Sequence, residues 1–239
     1  MVTHHAERAH RGIAAAAQAT EALIAAVGGL TAADVRMPSL LPRWSRAHVI
    51  SHLARNADAL VNLLSWARTG VEHPMYASRE DRDAAIDEGA GRGHLLLCED
   101  LTAACQRFHA AASGVPPDAW ETLVVAASGP LAASEIPWLR MREVWVHLVD
   151  LDAGVDFDAV PAAVHEELLD DVVHLFTGRS DVPAVTINAA LGDGRRRRWQ
   201  LDGAVTGPSV HGTAPQLLAW LTGRRSGADL DAPPLPPMS

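Results

Sequence analysis

The chain has 239 residues and a mass of 25.4 kDa, so one large or two modest domains is the expectation. Hydrophobic residues at 48% and charged residues at 21% exclude a disordered chain. The formal charge of −9, from 20 basic and 29 acidic residues, argues against a nucleic-acid partner, and no uncharged apolar run approaches the roughly 18 residues of a membrane span.

In chain order, an Ala-rich amphipathic run from about His5 to Val27 predicts a helix stopped at Gly28-Gly29. Glu7 and Glu21 interrupt this run and no basic segment precedes it, so it does not read as a signal peptide. Ser45 is a good N-cap for a helix that runs to Thr69-Gly70. Ser78 caps a third stretch with Glu80, Asp81 and Asp83 in its first turn, which breaks near Gly89–Gly93 and resumes to about Ser113. Residues 114–132 carry Gly114, Pro116, Pro117, Gly129 and Pro130, and read as loop with one short strand at Thr122–Ala126. Ser134 opens a helix that ends at Gly154, with Pro137 tolerated in its first turn.

The last third changes character. Pro161 to Thr177 predicts a helix closed by Gly178. Ala184–Ala190 and Arg197–Asp202 read as strands joined at Gly192-Asp193-Gly194, with a third strand at Val205–Val210. Thr213 caps a final helix that stops before Gly223, and the tail after Asp231 has four prolines. The expected class is α+β and mainly α: a four-helix bundle over residues 1–152, then a small α/β domain over 153–239.

Two cysteines, Cys98 and Cys105, cannot make a disulfide framework, and at seven apart on a helix they lie about 10 Å from each other. A cytoplasmic location is the expectation. The composition stands out in histidine, with 12 copies, and tryptophan, with 7. On the helix after Ser134, Arg140, Glu143, His147 and Asp150 fall within about 80° of one another. Apolar residues occupy both sides of this helix, so it reads as buried, and a buried glutamate and histidine need partners. Glu143 and His147, four apart, can reach one metal ion from adjacent turns. On the helix after Ser45, His52 borders the apolar arc and His48 lies nearer the polar side. His52, Glu143 and His147 make a His₂Glu set that leaves an open fourth position, the catalytic arrangement for zinc. Spacing alone leaves open a simple hydrogen-bonded pair and, with His48 as a fourth ligand, a closed structural site.

Three segments then carry a resemblance: LPRWSRAHVISHLARNADALVNLLSWARTG with the following HPMY, PWLRMREVWVHLVDLDAG, and AWLTGRR. With them the chain resembles the mycothiol-dependent maleylpyruvate isomerase family of the DinB-like superfamily. The resemblance implies a DinB-like metal-binding bundle followed by a sterol-carrier-like domain. It implies Zn²⁺, or another divalent metal, on His52, Glu143 and His147, with mycothiol as the thiol cofactor. The implied activity is cis–trans isomerisation of maleylpyruvate to fumarylpyruvate in gentisate-type degradation, with a small-molecule substrate and a low-molecular-weight thiol as partners and neither nucleic acid nor membrane. Arg224, in the segment matching the family's LTGR, is the candidate catalytic clamp for a carboxylate or enolate. The cheaper role for Arg224 is a charge at a helix C-terminus. Alternatives of other outcome are a mycothiol S-transferase and a non-catalytic metal-binding module. Oligomeric state is not legible.

Other positions have two readings each. Asp150 orients His147 or is a surface acid. Arg140 pairs with Glu143 or Asp150, or faces solvent. Asn56 lines the cavity or bonds between helices. Tyr76 caps the bundle, Trp66, Trp138 and Trp145 belong to core or cavity wall, and the cysteines are apolar filler. The Arg195–Arg198 run reads as a solvated hairpin end.

Overall fold

The computed structural model describes residues 4–127, 129–201 and 207–238. It divides into two compact units, Met1–Gly154 and Val155–Ser239. The class is α+β and mainly helical, and among the described residues no helix is long and apolar enough to cross a membrane.

The first unit is built on α1 (His4–Gly28), α2 (Arg46–Thr69), α3 (Arg79–Ala90), α4 (His94–Ser113) and α5 (Ile136–Asp150). Four of these, α1, α2, α4 and α5, pack as a bundle, and α3 lies against α2. Small residues set the spacing. The buried face of α1 is mostly Ala6, Ala9, Ala15, Ala16 and Ala19, which lets it approach α5 closely. A Cβ on Gly12 would stand 2.9 Å from both Pro137 Cβ and Trp138 Nε1, so only glycine fits there. Gly89 does the same for α3: its Cβ would meet Ser51 Oγ of α2 at 2.2 Å.

The helix after Ser45 begins as expected. Ser45 and His48 form a capping box, and Gly70 ends the helix at φ 71°. The expected break near Gly89–Gly93 separates α3 from α4, with Gly93 at the N-cap of α4. Two boundaries differ. Ser134 does not open α5: it lies buried in a 3₁₀ turn, Ala133–Glu135, and bonds His5 Nδ1 at 2.9 Å. The helix also ends at Asp150, before Gly154, as Asp152 and Gly154 turn left-handed at φ 51° and 81°. Residues 114–132 hold a hairpin where one strand was expected. β1 (Leu123–Ala126) pairs antiparallel with β2 (Gly129–Ala132), because Gly129 at φ 111° lets the chain return.

In the second unit, the expected helix from Pro161 starts as a 3₁₀ turn, Ala162–Val164, and continues as α6 (His165–His174). Strands β3 (Val185–Ala190) and β4 (Arg196–Leu201) pair antiparallel across a turn at Gly194, φ 85°. The third strand, β5 (Ser209–Thr213), runs parallel to β3, so the sheet order is β4-β3-β5. It begins later than expected, and Val205 and Thr206 lie outside the described residues, as does Asp202. Thr213 caps α7 (Ala214–Leu221) through a capping box with Gln216. The Arg195–Arg198 run is held by acids. Arg195 pairs with Asp193 at 2.7 Å and Glu166 at 2.8 Å, and Arg197 pairs with Glu166 and stands 3.7 Å from Asp170.

Candidate metal centre

The bundle brings His52 of α2 to Glu143 and His147 of α5. His52 Nε2 lies 3.2 Å from Glu143 Oε2, and His147 Nε2 lies 3.6 Å from the same oxygen. The imidazoles meet edge to face, with centroids 4.6 Å apart. One ligand atom from each residue falls within 4.8 Å of the other two. His52 is buried, while Glu143 and His147 keep 23% and 16% of their side-chain surface, so the cluster is open on one side.

Each side chain is aimed by a further residue. Asp150, wholly buried, holds His147 Nδ1 at 2.8 Å and turns Nε2 toward Glu143. Asn56 Nδ2 approaches Glu143 Oε2 at 3.5 Å, and Asn56 Oδ1 accepts from Arg140 Nη1 at 2.8 Å. Arg140 neither faces solvent nor bonds Glu143 or Asp150 directly. It is 0% exposed and donates to the Leu53 carbonyl, Asn56 and Cys105 Sγ. Arg142 stands 3.7 Å from Glu143 Oε1.

The charges are divided unequally. Burial opposes ionisation of Glu143, but the neighbouring imidazoles of His147 and His52 outweigh it and hold the carboxyl well below its usual range. Burial also opposes a charge on His147, yet Asp150 and Glu143 raise its pKa. For His52 burial wins, and its pKa falls to about 4. The cluster therefore offers an ionised carboxylate and a neutral imidazole at neutral pH, two donors that suit a divalent cation.

His48 does not join the cluster. Its Nδ1 lies 2.7 Å from Ser45 Oγ within the capping box, and its Nε2 faces Asp87 at 3.7 Å. Sequence reasoning missed two neighbours. Trp44 lays its ring 5.6 Å from His52 and stacks on His48 at 6.3 Å. Trp44 precedes the N-cap Ser45 and lies outside the helical repeat, so no helix spacing announces that contact. Arg82 of α3 places Nη2 3.3 Å from His52 Nδ1, lies over the Tyr76 ring and binds Asp83. It comes from another helix, and no local pattern announces it. Tyr76 thus lies beside Arg82, and its phenol pKa is raised by burial.

Arg224 belongs to the second unit. Its backbone N–H closes α7 on the Ala219 carbonyl at 2.8 Å, its guanidinium donates to the Thr222 carbonyl, and Gly223 turns the chain at φ 75°. Cys105 is buried against Arg140, and Cys98 lies by His94 at 3.4 Å, so neither thiol belongs to the cluster.

Residues 16–152 match the family model described as the mycothiol maleylpyruvate isomerase N-terminal domain. The chain belongs to that family. Two solved structures extend the likeness beyond the matched segment. One is a mycothiol-dependent maleylpyruvate isomerase, 28% identical over 96% of each chain with a TM-score of 0.85. The other is a histidine-to-alanine variant of a protein of that name, with the same identity and coverage and a TM-score of 0.84. Among curated proteins no sequence match is found.

Proposed function

We propose that the chain is a metal- and thiol-dependent cis–trans isomerase that converts maleylpyruvate to fumarylpyruvate, with zinc held by His52, Glu143 and His147. The observation that carries this reading is the convergence of those three side chains on one part-open point, with Asp150 fixing His147 from behind. Three protein ligands leave a position for a small molecule, whereas a structural zinc site is closed by four. When bound, the metal supplies a Lewis acid that favours the thiolate form of mycothiol, and the thiol supplies reversible addition to the double bond, which frees it to rotate.

The chain's own residues do the rest. Glu143 stays ionised and keeps the site anionic enough to attract a cation. Asp150 selects the His147 tautomer whose Nε2 lone pair faces the cluster. Asn56 and Arg140 orient the Glu143 carboxylate. The placement of both cysteines outside the cluster agrees with a nucleophile supplied by a small thiol. Arg224, in the second unit, is the arginine proposed to bind a carboxylate or enolate. The reaction belongs to gentisate-type degradation in the cytoplasm. Conversion of maleylpyruvate by metal-loaded protein, with and without mycothiol, tests the reading: turnover that needs both supports it, and equal turnover without thiol contradicts it.

A further inference from the structure

The contact between Arg82 and His52 has a consequence for metal binding. A guanidinium has donors and no acceptor, so His52 Nδ1 must accept from Arg82 Nη2 at 3.3 Å. The imidazole proton then sits on Nε2, directed at Glu143 Oε2 at 3.2 Å. That is the one neutral tautomer in which Nε2 cannot coordinate a metal. Coordination through Nε2 places the proton on Nδ1, where it opposes an Arg82 N–H. The two arrangements exclude each other.

Arg82 therefore has to leave His52 when the site fills. It is anchored for such a move. The tight seat of Gly89 on Ser51 fixes α3 against α2, two helical turns from Arg82. Arg82 Nη1 bonds Asp83 Oδ1 at 2.6 Å, and its guanidinium lies 5.9 Å from the Tyr76 ring centroid. It lines a cleft of about 440 Å³ together with Trp44, His48, Arg43 and Arg79. Three arginines in one cleft suit a carboxylate. Asp83 and Asp87 also line the cleft: Asp83 is held by Arg82 Nη1 and stands 4.0 Å from Arg79, and Asp87 faces His48, so the donor that leaving His52 releases is Arg82 Nη2.

We propose that Arg82 is a carboxylate-binding residue under metal control: filling the His52–Glu143–His147 site displaces its guanidinium from His52 Nδ1, and the freed Nη2 binds a carboxylate of the enedioate in this cleft. The inference rests on the metal reading above.

The test titrates zinc, then maleate without thiol, into wild type, Arg82→Met and Arg82→Lys, with ¹⁵N-histidine NMR as a second readout. The expected His52 proton is on Nε2 in metal-free wild type and on Nδ1 after zinc. Zinc affinity of Arg82→Met should equal or exceed that of wild type. Its zinc-loaded affinity for maleate should fall about tenfold or more, with Arg82→Lys in between. Equal maleate affinity in all three proteins, an unchanged His52 tautomer, or loss of zinc binding in Arg82→Met overturns the inference. If wild type binds zinc normally and one of these results appears, this inference alone fails. If wild type binds no zinc, the metal reading fails with it.

Discussion

Asp150 Oδ2 lies 2.8 Å from His147 Nδ1, and the aspartate has no exposed surface. The pair ties the last turn of α5 to the cluster at Glu143. A buried carboxylate on the far ring nitrogen makes the imidazole a stronger and better-directed donor.

Replacing Asp150 with Asn removes the charge and keeps the shape. Metal affinity should drop about 10- to 100-fold while helical content is retained. A chelator-competition titration beside circular dichroism measures both. Unchanged affinity would return Asp150 to a purely structural role.

The pH dependence of metal binding follows from the same pair. Asp150 and Glu143 raise the His147 pKa despite burial, so protons compete with the metal from above the ordinary value of about 6.5 downward. Affinity should fall as pH drops through that range. His52, with a pKa of about 4, adds its own loss only in more acidic solution. In Asp150→Asn the first loss should move to lower pH, because the interaction raising the His147 pKa is weakened. Affinity independent of pH in this range would contradict the assignment.

The α2–α3 contact makes a stability prediction. Ser51 Oγ is buried without a hydrogen-bond partner, so Ser51→Ala should stabilise the protein by about 1 kcal/mol. Gly89→Ala in the natural background should destabilise by about 1–3 kcal/mol, because its Cβ meets Ser51 Oγ at 2.2 Å. The double variant should recover part of that loss, since the hydroxyl is gone and Ser51 Cβ stands at 3.1 Å. Additive effects in urea melts would show that the two residues do not press on each other.

Arg224→Met should keep full metal content and lose about 100-fold or more in kcat, as expected for removal of a charge that stabilises a developing anion. Unchanged kinetics would leave Arg224 with its observed bond to the Thr222 carbonyl at the end of α7.

Much of this architecture is local and therefore legible in the chain. Ser45, Gly70 and Thr213 mark helix ends through their own backbone and side-chain chemistry. The i, i+4 spacing of Glu143 and His147 and the wheel position of His52 select the residues that converge. What escapes such reading is set by packing between distant segments. The burial of Arg140 depends on Leu53, Asn56 and Cys105 on other helices. Arg82 reaches His52 because Gly89 admits close approach to α2. The β1–β2 hairpin is short, and its exposed Leu123 and Val125 weaken the strand pattern. Ser134 looks like a cap but bonds His5, far away in sequence.

The most direct test of the metal centre is elemental mass spectrometry of purified wild type and of His52→Ala, Glu143→Ala and His147→Ala prepared identically. The account predicts about one zinc per wild-type chain and its loss from each variant, with the helical spectrum preserved. A wild type that holds no divalent metal after reconstitution, or variants that keep full metal content, would contradict it.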